Sequence, residues 1–445
     1  MFKRVLVANR GEIACRVIRT CRKMGIESVA VYSQADRDSL HVKMANVSIC
    51  IGPPESARSY LHIPSIVSAA EISDADAIHP GYGFLSENGH FADICRDLNI
   101  AFVGPSAGAM AKMSDKAGAR ELAKSCGVPI LPGSDGVVPD DESGLRVAHA
   151  IGYPVIVKAS AGGGGRGIRV AHNDAALRAG MASARAEAEA AFGNGALYVE
   201  KFLARPRHVE VQVLCDGAGN VIHLGERDCT TQRRHQKLIE ESPSPAADAP
   251  VRKAMGAAAA KLCQAAGYTN AGTVEFLLEE GGFYFMEMNT RIQVEHPVTE
   301  MVTGIDLVEE QLRIAAGESL RWRQRDIRPA GHAMEFRINA EDPERRFTPC
   351  PGTVSLFVPP EGPGIRTDSF IYSGYRVTPH YDSLVAKLII QAGSRTECLE
   401  KSRRALREFI LEGIKTTIPF HLAMLDNNAF VKSEFDINFV DKQYA

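Results

Sequence analysis

In the segment Glu287-Met288-Asn289-Thr290-Arg291-Ile292-Gln293-Val294-Glu295-His296-Pro297, read as an extended strand, side chains alternate between two faces. Glu287, Asn289, Arg291, Gln293 and Glu295 then share one face, while Met288, Ile292 and Val294 share the other. Just upstream, Thr273 to Leu278, Glu279-Glu280-Gly281-Gly282 and Phe283 to Asn289 read as a β-hairpin turning on the glycines. A turn centred on Gly281 sets Glu275 opposite Glu287, with Asn289 on the same side of the sheet. Two carboxylates and an amide oxygen thus converge among Phe283, Phe285 and Leu277. Facing like charges are unfavourable without a cation, and an all-oxygen set suits a hard ion such as Mg²⁺. Further along, Arg291 can hold a small oxyanion by paired hydrogen bonds, Gln293 can orient it and Glu295 can take its proton. The plain alternatives are a solvent-facing acidic pair and a merely amphipathic strand. Apolar neighbours argue against the first, and the change of the polar face from acidic to mixed argues against the second.

Two other stretches point to anions. Ser160-Ala161-Gly162-Gly163-Gly164-Gly165-Arg166-Gly167 lies between strands Val155 to Lys158 and Ile168 to Val170. Without Cβ atoms, successive backbone N–H groups can close around a phosphate, and Lys158 aims a cation at the same place. No Lys-Ser/Thr follows and no helix opens after the loop, so it is not a P-loop but a strand-joining flap; an unliganded hairpin loop is the alternative. The run from Glu226 to Lys237 is dense in cations and reads as an anion-binding wall, with His235 and Lys237 on one face if extended; by itself such a run is often a solvated loop. Arg337 is a lone Arg in an apolar strand, more often a paired structural residue than a ligand.

The chain opens as a βαβ unit: strand Val5 to Ala8, a helix using Ile13, Val17, Cys21 and Met24 and stopped by Gly25, then strand Val29 to Tyr32. Its first loop, Asn9-Arg10-Gly11-Glu12, lacks the three-glycine dinucleotide fingerprint, which removes the main support for an NAD enzyme. Short strands at Ala77-Ile78 and Ala101 to Val103 continue a doubly wound layer that closes near residue 113. Residues 130–205 read as a compact, lid-like insertion with a helix near 174–191. Residues 209–300 read as antiparallel strands plus one Ala-rich helix ending at Gly267. From residue 330 a third unit carries strands near 333–338 and 384–390 and a helix using Leu399, Leu406, Phe409 and Ile410.

At 445 residues the chain needs more than one core. A charged fraction of 24% and a net charge of −3 give no reason to expect nucleic acid or an anionic membrane as partner. No apolar run reaches membrane-span length and the N-terminus does not read as a signal peptide, which points to the cytoplasm. The 10 cysteines show no Cys-x-x-Cys pair, so reduced, mostly buried thiols are expected, with Cys229 in its charged stretch the one to watch.

Taken together, Asn9-Arg10-Gly11-Glu12-Ile13-Ala14, His79-Pro80-Gly81-Tyr82-Gly83-Phe84-Leu85-Ser86-Glu87-Asn88, the glycine loop, Arg233-Arg234-His235-Gln236-Lys237 and the segment from Glu287 to Pro297 resemble the biotin carboxylases of the ATP-grasp superfamily, along nearly the whole chain. The resemblance implies an α/β (α+β) architecture. It comprises a Rossmann-like N-terminal domain over 1–113, an ATP-grasp domain over 114–316 with a mobile lid at about 131–203, and a C-terminal biotin-carboxylase domain over 330–445.

By the same resemblance, ATP contacts fall on Lys116, Lys158, the backbone of Gly164 and Gly165, Glu200, Lys201, Leu203, His208, Gln232 and His235. Mg²⁺, for which Mn²⁺ can substitute, falls to Glu275, Glu287 and Asn289. Bicarbonate and biotin fall to Lys237, Arg291, Gln293, Val294, Glu295, Arg337 and Tyr82, with Glu295 as base and Arg337 near the ureido oxygen of biotin. The implied reaction passes through carboxyphosphate, and lid closure shields that intermediate from water.

The implied partners are a biotin carboxyl carrier protein, carboxyltransferase subunits and a second copy in a homodimer. The chain carries no Ala-Met-Lys-Met hairpin, so the carrier is expected on another chain. The first half-reaction of acetyl-CoA carboxylase, in fatty acid synthesis, is the expected role. The same subunit of another acyl-CoA or pyruvate carboxylase is the alternative. A different ATP-grasp ligase or a non-catalytic nucleotide-binding module would need no Arg291/Gln293/Glu295 set.

Overall fold

Apolar strands buried on both faces alternate with helices at the start of the chain, the pattern of a parallel layer. The computed structural model, which describes residues 1–159 and 167–444, has there a five-stranded sheet ordered Val47–Gly52, Glu27–Ser33, Arg4–Val7, Ala77–His79, Ala101–Phe102, every neighbour parallel. The strand order reverses between Arg4–Val7 and Ala77–His79, where open α/β sheets form a crevice. Asn9 Nδ2 ties its two walls by donating to Pro80 O and Tyr82 O, both at 2.7 Å. A Cβ on Gly81, whose φ is +62°, would lie 2.9 Å from that nitrogen, so this turn accepts only glycine.

An antiparallel eight-stranded sheet follows, ordered Gly282–Asn289, Asn270–Glu279, Arg207–Cys215, Val221–Arg233, Gln236–Ser242, His332–Asn339, Leu384–Ala392, Ile365–Ser369. The strands expected near 333–338 and 384–390 exist, and they extend the central sheet: Ile239 pairs Phe336 and Glu240 pairs Glu335. Pairing there covers an edge that would otherwise leave backbone donors open. Helix Arg395–Glu408 ends one residue before Phe409, and Ile410, expected in it, starts strand Ile410–Glu412. The Ala-rich helix Ala249–Ala266 stops at Gly267 in the left-handed region, as anticipated.

Between the two layers, strands Ile168–Ala171, Val155–Ala159 and Leu197–Lys201 form a small sheet backed by helices Asp141–Ile151 and Asp174–Phe192. Its core, including Leu145, Val155, Leu177, Met181 and Val199, is drawn entirely from this unit. The glycine run, with Gly164 and Gly165, falls in 160–166, outside the described residues. No helix among the described residues is long and apolar enough to cross a membrane. Cysteines are free, and most, Cys229 among them, are buried.

The hairpin and the polar segment both differ in detail from expectation. The turn residues are Glu280 and Gly281, both left-handed (φ 49° and 79°), and Glu279 pairs Gly282. In that register Glu275 would face Met286. A one-residue bulge at Met286 advances the partner strand, so that Glu275 does face Glu287 and Thr273 faces Asn289. The strand then stops at Asn289 and does not run extended to Glu295. Glu295 leaves the extended region (φ −82°, ψ 9°, the bridge region) and caps helix His296–Thr303, where Pro297 is preorganised for the first turn.

Candidate active site

A cleft of about 2200 Å³ opens between the small unit, the eight-stranded sheet and the Tyr82 loop. Every described residue proposed from sequence to touch ligand lines it, including Tyr82 and the backbone-facing Val294.

On the wall formed by the small unit, Lys158 Nζ donates to Glu200 Oε2 (2.7 Å) and Arg120 Nη1 donates to Glu200 Oε1 (2.6 Å). Lys201 turns its ammonium onto Gly152 O and Tyr153 O, both at 3.1 Å, so its side chain serves the unit's own backbone. Leu203 is buried at the end of this stretch. Lys116 is 67% exposed and stands 4.0 Å from Glu287.

The run from Glu226 to Lys237 is not one extended wall. Strands Val221–Arg233 and Gln236–Ser242 meet at an Arg234-His235 turn with positive φ at both residues, so His235 does not share a strand face with Lys237. Gln232, His235 and Lys237 reach the cleft, whereas Arg227 is fully buried beneath it. Gln232 lies beside His208, 3.4 Å from its Nδ1.

At the floor, Lys237 Nζ donates to Glu210 Oε2 (2.6 Å), Glu295 Oε1 (2.7 Å) and Glu275 Oε1 (3.1 Å). Arg337 donates from Nε to Glu240 Oε1 (2.6 Å) and from Nη2 to Glu295 Oε2 (2.9 Å), so this strand Arg is paired, as anticipated, and also lines the cleft. Beneath them Arg227 gathers Glu210 (2.7 Å), Gln212 (2.7 Å) and Gln293 (2.8 Å). Gln293 Nε2 donates to Glu275 Oε1 at 2.9 Å, fixing its amide between the two groups. Arg291 is steered from the N-terminal layer: its Nε donates to Glu87 (3.0 Å) and its Nη2 to Asn289 Oδ1 (2.8 Å).

The charges follow from this packing. Burial alone would raise Glu295, but Lys237, Arg337 and Arg227 hold it well below the usual carboxylate range. Glu275 is likewise held low against its burial, by Lys237 and His208, whose Nε2 is 3.0 Å from its Oε2. Glu287 is raised, first by burial and then by the charge of Glu275 opposite. That facing pair of carboxylates, with Lys237 and His208 on Glu275 and with Glu287 open to the cleft, fits a hard divalent cation. Asn289 is adjacent, but it presents Nδ2 to Glu275 (2.8 Å) and its oxygen to Arg291, so joining a metal shell requires its amide to turn.

Sequence reading missed Glu87, Arg120, Glu210, Arg227 and Glu240. The signal for Glu210 was present: His208, Glu210 and Gln212 alternate in a strand that is buried along its whole length. Arg227 and Glu240 look like ordinary charged residues until the strands are paired.

The parallel layer, the small unit and the antiparallel sheet closing on a cleft of cations and carboxylates define an ATP-dependent ligase of the ATP-grasp class. Family models agree: biotin carboxylase N-terminal domain over residues 1–110, carbamoyl-phosphate synthase L chain ATP binding domain over 115–323, and biotin carboxylase C-terminal domain over 335–442. Biotin carboxylase 1 of Bacillus subtilis is 55% identical over 443 residues, covering 99% of this chain and 98% of the relative. The biotin carboxylase of Campylobacter jejuni, solved as a β-γ-ATP complex, superposes with a TM-score of 0.94 at 50% identity, covering 100% of this chain and 99% of that one. The biotin carboxylase domain dimer of Hydrogenobacter thermophilus 2-oxoglutarate carboxylase, solved with MgADP, ADP and bicarbonate, gives a TM-score of 0.91 at 49% identity, covering 99% and 98%. The chain belongs to the biotin carboxylase family.

Proposed function

We propose that this enzyme uses ATP and bicarbonate to carboxylate biotin at N1′, with the biotin presented by a separate carrier protein and the carboxyl group passed on by carboxyltransferase subunits. The observation that carries the reading is Glu295, clasped at the cleft floor between Lys237 (2.7 Å) and Arg337 (2.9 Å).

While clasped, Glu295 is a weak base. A bicarbonate seated against Lys237, Arg291, Gln293 and the Val294 backbone draws Lys237 off Glu295 and raises its proton affinity where a proton has to be taken. The deprotonated bicarbonate attacks the γ-phosphate, giving carboxyphosphate and ADP. Carboxyphosphate breaks into CO₂ and phosphate, the phosphate takes the N1′ proton of biotin, Arg337 steadies the resulting enolate oxygen, and N1′ then attacks CO₂ to form the N–C bond of carboxybiotin. Lys116, Lys158 and His235 surround the nucleotide, the stretch Glu200 to Leu203 with His208 and Gln232 frames it, and the backbone at Gly164 and Gly165 covers its phosphates. Glu275 and Glu287, with Asn289 once turned, would hold Mg²⁺, which neutralises phosphate charge when bound. Tyr82 borders the biotin end.

Functional domains run over 1–113, 114–316 with a lid at about 131–203, and 330–445; the self-contained core of the small unit supports its motion as a body. A cytoplasmic homodimer acting in acetyl-CoA carboxylase, hence in fatty acid synthesis, is the favoured setting. The kinship with a 2-oxoglutarate carboxylase domain keeps other acceptors in view. The test is ADP formation by the purified enzyme with and without bicarbonate and free biotin. Dependence on both is expected. ADP release indifferent to bicarbonate, or an E295Q variant as active as the unaltered enzyme, defeats the proposal.

A further inference from the structure

Behind Arg337 lie two buried acids that the reaction above does not use. Glu240 and Glu335 are directly paired across strands Gln236–Ser242 and His332–Asn339, and both are 0% exposed. Glu335 and Arg337 are two apart on one strand and so share its face, and Lys387 faces Arg337 from the next strand. Helix His296–Thr303 covers this face, with Val298 and Val302 packed on Ala333 and Ile389.

One oxygen of Glu240 accepts from Arg337 at 2.6 Å, while its other oxygen and both oxygens of Glu335 are buried with no hydrogen-bond partner among the described residues. Buried polar atoms left unpaired are rare, and facing carboxylates cannot both stay charged at low cost. The cation nearest Glu335, Lys387, is committed elsewhere, to Val294 O (2.7 Å) and Glu12 (3.1 Å). The other charged or titratable groups around the pair are Glu295, Lys237, Cys229, Arg227, Arg366, Arg16, Asp368, Glu12, His296 and Glu300. Their cations are already matched to carboxylates, Arg227 to Glu210 among them.

We infer that Glu240 and Glu335 share a single proton, and that this makes Glu335 a positioning residue for Arg337. The inference rests on the role given to Arg337 above. With one negative charge on the pair, Arg337 divides itself between Glu240 and Glu295 and can turn to the biotin oxygen. With two, it is drawn back onto Glu240 and lost to substrate. Titration behaviour agrees: burial pushes Glu240 up to about 7 despite Arg337, and burial raises Glu335 well above the carboxylate range, Lys387 opposing and Glu240 reinforcing.

The direct test is infrared spectroscopy of the whole enzyme with ¹³C-labelled glutamate. A protonated-carboxyl C=O band near neutral pH, lost on raising the pH and missing in E335Q, is expected; a spectrum in which E335Q leaves every such band in place overturns the shared proton. Because this readout needs no turnover, it separates the inference from the proposed reaction, which bicarbonate-independent ADP release would defeat by itself. The kinetic test is the pH profile of kcat/KM for biotin. E335Q, fixed neutral, should remove the alkaline fall, so that one pH unit above its midpoint kcat/KM exceeds that of the unaltered enzyme about tenfold, with KM for ATP unmoved. Superimposable profiles overturn the positioning role. If E335Q does not fold, E240Q replaces it: the carboxyl band must shift when the partner is changed, and an unshifted band overturns the pair. Linkage supplies a last check. Acids with raised folded-state pKa contribute stability that is complete at low pH and lost as pH rises through the folded value, so the Tm advantage of E335Q must grow with pH; a constant difference counts against the inference.

Discussion

The small three-stranded unit and the eight-stranded sheet both present cations to one cleft, by opposite means. In the small unit, Lys158 and Arg120 share one carboxylate, Glu200, and their side chains remain 28% and 22% exposed. Such a cation can leave for a phosphate with modest loss, because water still reaches it and the other cation stays on buried Glu200. In the sheet, Lys237 holds three carboxylates and fully buried Arg227 holds Glu210 while donating to Gln212 and Gln293. There every charge is fixed by several others, and removing one strands its partners in low dielectric. The cations of the small unit lean on one carboxylate, those of the sheet on several.

Substitutions can break that contrast, beginning with the largest effect. E295Q should lower bicarbonate-dependent ADP formation by roughly 10²–10⁴-fold, the range for loss of a positioned base, with nucleotide binding retained in a titration. R227M should cost about 3–5 kcal/mol in chemical denaturation, since buried Glu210 keeps only Lys237 and the buried amide oxygens of Gln212 and Gln293 lose their donor. A cost below about 1 kcal/mol would erase the difference between the two regions. K158M, in the small unit, should instead leave the denaturation midpoint nearly unchanged and raise KM for ATP about tenfold, the size of one charge-assisted hydrogen bond. Acid should weaken the sheet in a defined window. Burial would raise Glu241, but His332 and Arg395 bring it down to about 2. Its stabilisation is therefore complete above its unfolded value near 4.3 and disappears as pH falls towards 2, and R395M should move the acid-unfolding midpoint upward. At the small end, R178A removes an exposed pair with Glu142 and should leave Tm where it was.

Much of the site was legible before folding because its residues alternate in strands or sit in runs. The facing of Glu275 and Glu287 came out as expected, though for a different reason. Hairpin symmetry about Gly281 gives that pairing on paper. The actual turn is Glu280-Gly281, and a bulge at Met286 restores the pairing. Neither is visible in a polarity pattern, since a bulge depends on how one strand meets its neighbour. The common face of Arg291, Gln293 and Glu295 was the converse case. The three do converge, but across a strand end and a helix start, each drawn in by a separate partner: Glu87, Arg227 and Lys237. The basic run misled because Arg227 and Lys237 look equivalent in a charge count, whereas strand pairing buries the first and opens the second to the cleft.

The sequence by itself determined the doubly wound start, the strand periods, the turns that require glycine, and the residue types able to hold phosphate, metal and oxyanion. These are local properties, set by backbone sterics and by side chains a few positions apart. Only the tertiary structure decided that the central and C-terminal strands form one sheet, that Glu295 rests between Lys237 and Arg337, and that Glu240 and Glu335 face each other while Arg337 is shared and Lys387 is held by Glu12. The strength of a charge depends on what surrounds it in three dimensions, and residues 42 and 58 positions apart in the chain provide the surroundings of Glu295.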